Sequence, residues 1–205
     1  MLARTNATRM ELLKLKGRLK MARRGHKLLK DKRDELMKVF LARVRETRGL
    51  RPEVEARLAS AYRELDFARA AMDPGALATA VSVPEARTSA ACEVRNVMSV
   101  LVPHLEVQTE GNLHPYGPGY TAPELDVAIR DAARIFPALV RLAEAERAVE
   151  LLAEEIEKTR RRVNALEHVL IPQLQAAVRE ITMRLSEMER SNISRLMKIK
   201  EIVRA

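Results

Sequence analysis

The chain has 205 residues, with aromatics at 3%, no Trp and charged residues at 32%, a balance that argues against a compact globule packed around rings and suits long amphipathic helices with a narrow apolar seam. Its net charge is +9, and the excess sits at one end: residues 1–48 hold 16 Lys and Arg against 5 Asp and Glu, the remainder 21 against 23. The single cysteine, Cys92, excludes an intrachain disulfide, and no apolar run reaches the ~18–20 residues that a membrane-spanning helix needs.

In chain order, Thr5, Asn6 and Thr8 are candidate caps for a first helix. Behind them Leu12, Leu15, Leu19, Ala22, His26, Leu29, Arg33, Leu36 and Phe40 recur at spacings of 3 and 4 and fall on one side of a helix. Gly49 and Pro52 mark a break or kink, after which Val54, Leu58, Ala61, Leu65 and Ala68 resume the pattern. Asp73-Pro74-Gly75 stops it. Residues 1–72 therefore read as one long helical segment, kinked near 49–52.

Residues 73–123 hold six of the nine prolines and four of the seven glycines and read as an irregular insert. Within it, Val94, Met98, Val100 and Val102 share one side of an extended chain, and Leu105, Val107 and Thr109 alternate with Glu106 and Gln108. These two runs predict a small β-hairpin with Pro103-His104 at its turn. Residues 111–123 read as loop.

Residues 124–205 form the second helical segment. Pro137 is expected to separate or kink its first stretch. The seam then runs through Val149, Leu152, Ile156, Thr159, Val163, Leu166, Leu170, Leu174, Ala177, Ile181, Leu185, Met188, Asn192, Arg195 and Ile199. From Leu170 to Ile181 the steps are 4, 3 and 4, an eleven-residue insert in a seven-residue pattern that locally unwinds a left-handed supercoil. Pro172 lies there, where it removes one helical hydrogen bond and crowds the carbonyl of His168. The expectation is a bend, since the apolar pattern continues on both sides.

Neither helix holds an apolar stripe in water alone. The predicted fold class is all-α: a long antiparallel two-helix coiled coil of the N- and C-terminal helices, with short helices and a small hairpin insert in the middle. With the two ends flush, residues near 12 fall by 200 and residues near 36 by 178. This register puts 23–33 beside 180–190.

No phosphate-cradling GxxxxGK[ST] or dinucleotide fingerprint is present. His26, His104, His114 and His168 never stand at metal-ligand spacing with Cys or with each other. His26, on the seam, reads as a packed residue, and Cys92 as an inert thiol. Glu144, Glu146, Glu150, Glu154, Glu155 and Glu157, interleaved with Arg141, Arg147, Lys158 and Arg161, read as a solvated face. Hence no catalytic residue, cofactor or metal site is expected.

The basic run is more pointed. Lys14, Lys16, Arg18, Lys20, Arg23, Arg24, Lys27, Lys30, Lys32 and Arg33 place ten cations in twenty residues, with Asp31 the only acid. It suits a solvated face, a face against an acidic protein, or a nucleic-acid or membrane face. The last lacks stacking aromatics and a folded reading module.

The runs TRMELLKLK from Thr8 to Lys16 and LKMARRGHKLLKDKRDEL from Leu19 to Leu36 resemble the N-terminal signature of the D subunit of V-type and archaeal-type ATPases. KTRRRVNALEHVLIP from Lys158 to Pro172 is similar to that family's C-terminal block, as is the tail at Met188–Arg190 and RLMKIK from Arg195 to Lys200. Asn96-Val97-Met98 and Val102-Pro103 agree more weakly. The resemblance implies a non-catalytic central-stalk rotor subunit of an ATPase or ATP synthase, transmitting torque between an ion-driven membrane rotor and a hexameric head. The implied partners are the catalytic and regulatory nucleotide-binding subunits of the head, the small F subunit of the central stalk and a funnel-shaped adaptor on the rotor ring. The protein would be cytoplasmic and peripheral to the membrane, without nucleic acid and without inserting into the bilayer. The alternative is a structural basic coiled coil that binds nucleic acid or another acidic partner.

Candidate ring-facing or torque-bearing residues are Arg23, Arg24, Lys27, Lys32 and Arg33, with Arg160, Arg161, Arg162 and Asn164; the expected register sets these two basic blocks at different heights. Asn164 and Thr159 also suit a polar seam position that fixes register.

Overall fold

A computed structural model describes residues 8–82, 84–117, 119 and 121–204. The elements are α1 (Arg9–Ala71), α2 (Pro74–Ser82), β1 (Arg87–Val97), β2 (Val100–Glu110), α3 (Pro123–Ala165), a π-helical turn (Leu166–Leu170) and α4 (Ile171–Arg204). Long helices with one antiparallel two-stranded hairpin between them match the fold class read from the sequence. The chain divides into two units, Met1–Glu35 with Ile156–Ala205, and Leu36–Glu155.

In the first unit α1 starts at a side-chain cap. Thr8 Oγ1 accepts the backbone N–H of Glu11 at 3.2 Å, which satisfies one donor that a helix start leaves open. The other candidate caps, Thr5 and Asn6, lie outside the described residues. Leu15 is buried against Leu174, Ala177 and Ile181, with Leu12, Leu19, Ala22, Val178 and Leu185 around them. Arg9 pairs with Glu189 at 2.7 Å and His26 with Glu167 at 3.2 Å. The helices are therefore antiparallel, but the register differs from flush ends: position 12 lies near 186 rather than 200. Nothing favours flush ends energetically. Seating Leu15 among Leu174, Ala177 and Ile181 favours the observed register instead, because it buries apolar area. Past Glu189, α4 runs on to Arg204 with every side chain exposed.

The seam of the C-terminal segment reads off the burial: Leu152, Ile156, Thr159, Val163, Leu174, Ala177 and Ile181 are buried. Four expected seam residues at the end of α4, Met188, Asn192, Arg195 and Ile199, are exposed instead. So is Leu170, at 42%, whereas Ile171 is half-buried. The π-turn is the reason for this exchange between Leu170 and Ile171. The N–H of Ile171 bonds back to the carbonyl of Leu166, five residues away rather than four, so one extra residue is looped out. That turn absorbs the eleven-residue insert and hands the seam from Leu170 to Ile171. Pro172 follows directly, contributing no N–H to the ladder.

In the second unit Val54 and Ala61 of α1 pack with Ile135 and Leu142 of α3, flanked by Leu50, Ala138 and Leu139. Arg51 pairs with Glu146 at 3.0 Å. α1 passes Gly49 and Pro52 without stopping, and α3 passes Pro137, so of the two expectations at Pro137, a separate helix or a kink, the separate helix does not form. Both prolines are exposed, on the side of the helix turned from its partner, while apolar residues on either side hold the helix in place. α1 ends at Ala71. Asp73 then caps α2, its Oδ2 accepting Gly75 N–H at 3.0 Å, with Pro74 as the first helical residue.

The hairpin pairs Arg87 with Glu110 through to Val97 with Val100, without a bulge. Its turn is Met98-Ser99, not Pro103-His104. Both turn residues have positive φ, 53° and 73°, the signature of a two-residue type I′ turn. Asn96 Oδ1 accepts the Ser99 N–H at 2.8 Å and steadies it. The apolar alternation misled because it runs unbroken through the turn. Pro103 fits inside β2 because the closing pair Val97–Val100 is hydrogen-bonded. Alternation then places Val94–Pro103 at a non-hydrogen-bonded position, where no donor is needed. Ser99→Gly relieves a left-handed side chain and is expected to stabilise the hairpin by roughly 0.5–1 kcal/mol. Slower hydrogen exchange of the β1 and β2 amides reports it; unchanged exchange means the turn stores no strain.

Candidate functional site

α1 and α3 are amphipathic, so the side that does not face the seam carries their charge. Arg23, Arg24 and Lys27 are exposed on α1, and Lys32 and Arg33 are half-buried. Arg33 donates to Asp34 Oδ1 from Nε at 3.0 Å and from Nη2 at 2.7 Å. Lys16, Leu19, Lys20, Arg23, Arg24 and Lys27 line one shallow groove. On α3, Arg160, Arg161, Arg162 and Asn164 are all exposed, and Arg161 is paired with Glu157 one turn back.

The observed register brings these two blocks together. His26 lies opposite Glu167. Seven residues further along each antiparallel helix, Arg33 lies at the level of Arg160. The expected separation in height is therefore wrong, and 23–33 does not lie beside 180–190. Residues 23–34 and 157–167 hold ten Lys and Arg against four Asp and Glu, so one level of the helix pair is strongly basic on both helices. Exposed charges of one sign at this density present a field to an oppositely charged surface.

Burial separates two residues that the sequence left together. Thr159 is 1% exposed and lies on the seam; Asn164 faces solvent. His26 is half-buried, with Nε2 3.2 Å from Glu167 Oε2, which suits its reading as a packed seam residue.

The solvated-face reading of the acidic run holds for Glu150, paired with Arg147, and for Glu157. It fails for Glu144. Both of that residue's oxygens are engaged: Oε1 lies 2.9 Å from His104 Nδ1, and Oε2 accepts the Leu105 backbone N–H at 3.1 Å. Burial pushes its carboxyl up. The hydrogen bonds from His104 and Leu105, with the charges of His104 and Arg43, outweigh this and hold it below the ordinary carboxylate value. Leu105 pairs with Cys92 at a non-hydrogen-bonded position, so its N–H points away from β1 and is free for α3 to accept. No local signal in the sequence shows this, because the partners lie 39 and 40 residues apart.

A second polar cluster sits at the start of α3. Tyr116 donates to Asp126 Oδ1 at 2.7 Å, and His114 Nδ1 lies 3.1 Å from the same hydroxyl. Burial, then the hydrogen bond and charge of Asp126, push the Tyr116 phenol up, so it remains a neutral donor that ties the loop to the helix. Among the described residues no group of three or more His, Cys, Asp and Glu is placed to hold a metal ion. No helix there is long and apolar enough to cross a membrane.

Comparison with known proteins gives a consistent result. The family model for the ATP synthase D subunit matches residues 11–201. The chain is 53% identical over 200 residues to the V-type ATP synthase D subunit of Thermoanaerobacter sp. (strain X514), covering 97% of this chain and 96% of that one. It is 50% identical over 204 residues to the protein of the same name from Acetivibrio thermocellus, covering 98% and 92%. For that of Clostridioides difficile (strain 630) the identity is 49% over 201 residues, covering 97% and 90%.

Proposed function

The chain belongs to the family of ATP synthase D subunits, and on that premise we propose that it carries torque in a V/A-type rotary ATPase. It is a central-stalk component of such an ATPase, structural and not catalytic. The observation that carries the torque reading is the packed antiparallel helix pair of the first unit, which falls almost wholly within the matched residues 11–201. A paired helix resists twisting and bending where a single helix frays, since each holds the other's apolar stripe out of water.

In this reading the basic level of the pair faces the hexamer of catalytic and regulatory nucleotide-binding subunits. Arg23, Arg24, Lys27, Lys32, Arg33, Arg160, Arg161, Arg162 and Asn164 are the contact residues, and the opposing surface is acidic. Exposed cations suit a turning contact. Each pair contributes little, so none holds the shaft at one angle. An asymmetric helix pair touches successive interfaces of the ring differently, and differential contact is what shifts a conformational equilibrium. The π-turn and Pro172, where the seam changes residue, supply part of that asymmetry. The small F subunit of the stalk and the funnel-shaped adaptor are further proposed partners, and the protein is then peripheral to the membrane. The free-standing basic coiled coil that binds nucleic acid has no comparable support.

The test is charge reversal in the assembled ATPase. Arg23→Glu, Arg24→Glu and Lys27→Glu combined are expected to lower the coupling of ATP hydrolysis to rotation while helix content stays unchanged, because all three side chains are exposed. High salt should mimic the effect in the unaltered protein, since the screening length of exposed charges falls from ~8 Å at physiological ionic strength to ~3 Å at 1 M. Full coupling in a normally assembled variant removes the ring-facing role.

A further inference from the structure

The two edges of the hairpin are not equivalent. On β2 two adjacent outward positions in the middle of the strand are closed: Pro103 has no N–H, and the N–H of Leu105 is taken by Glu144. On β1 the same alternation turns the N–H and C=O of Thr88, Ala90, Cys92, Val94 and Asn96 away from β2. The side chains of β1 are exposed from Arg87 to Asn96. Exposed edges are ordinarily blunted by proline, a bulge or charged side chains, lysine above all. β1 has no proline or lysine, its three charges, Arg87, Glu93 and Arg95, share one face and leave the other uncharged, and its eleven pairs with β2 run one to one. An open, regular strand edge is chemically specific: it satisfies its donors and acceptors best with another extended backbone.

We propose that the outer edge of β1 is a strand-addition site for an extended segment of a neighbouring subunit in the assembled complex. The side chains of β1 specify what that segment carries. One face of the edge is small or apolar, with Ala90, Cys92 and Val94, the last 63% exposed beside an equally exposed Leu101. The other face presents Arg87 and Arg95 around Glu93, and among the described residues neither arginine has a carboxylate partner. The incoming strand therefore places small or apolar side chains on the first face and a carboxylate opposite Arg95 on the second. Glu144 fixes the hairpin from its other edge and leaves β1 outward.

The choice of partner rests on the stalk-subunit reading; the open edge itself rests on the strand register. The test is residue-resolved hydrogen exchange of the full chain, alone and in the purified ATPase. In the free chain the inward amides of Ala91, Glu93 and Arg95 exchange slowly and the outward amides of Ala90, Cys92 and Val94 exchange fast. In the complex the outward amides are expected to slow by at least about tenfold, to the level of their neighbours. Cys92→Pro removes one outward donor without touching a β1–β2 bond and should abolish that protection at Ala90 and Val94; Cys92→Ser should keep it. A chain that fails to join the complex overturns the stalk reading and this proposal with it. A chain that joins while its outward amides stay fast overturns strand addition alone. So does a free chain whose outward amides are already protected in a homodimer.

Discussion

Leu15→Ala is expected to destabilise the helix pair of the first unit by about 2–5 kcal/mol, the usual cost of emptying a well-packed apolar site. Leu15 is 3% exposed and sits among Leu174, Ala177 and Ile181. Truncation forfeits its transfer out of water and leaves a void that two helices held in fixed register close only partly. Leu13, two residues earlier, is 65% exposed, and Leu13→Ala should change stability by less than about 0.5 kcal/mol. Urea unfolding of the full chain, followed by circular dichroism, compares the two. Equal losses would mean that the seam does not run through Leu15 and that α1 and α4 meet in some other register.

Removing the carboxylate of Glu144 is the other change with a large expected effect. Glu144→Ala deletes the acceptor for the Leu105 N–H and the partner of His104, and about 1–3 kcal/mol of local anchoring goes with them. Little else pins the hairpin, since Val100 and Val102 are its buried residues. The amide of Leu105 should then exchange freely, while the inward β1–β2 amides keep their protection. Retained protection at Leu105 would show that α3 does not hold it. Acid should act in the same direction. The folded carboxyl lies below its ordinary value of 4.5, so the ionised form is the one the fold favours. Its contribution is fully present above the unfolded value and is lost as the pH falls through the folded one. The anchor is therefore complete at neutral pH, and Glu144→Gln, which cannot titrate, should remove the acid dependence.

The basic blocks illustrate how a proposed contact surface is partly legible. That Arg23, Arg24 and Lys27 face away from the seam follows from the 3,4 spacing alone, because the periodicity that gathers Leu12, Leu15 and Leu19 turns them outward, whereas it puts Arg33 on the seam itself. That the two blocks stand at one level does not follow. It depends on which leucine meets which hole, a difference in packing that no periodicity within one helix encodes.

What this sequence determined by itself is therefore what lies within a few residues of each position: the helical segments, the seam from Leu152 to Ile181, the stop at Asp73-Pro74-Gly75, the irregularity near Pro172 and the family signatures at both ends. These rest on local backbone preference and on the 3.6-residue turn, which short-range spacing records. The tertiary structure decided the helix register, the transfer of the seam from Leu170 to Ile171, the turn at Met98-Ser99 and the capture of Leu105 by Glu144. Each of these sets the free energy of one distant pairing against another that the same spacing permits, and only the packed partners choose between them.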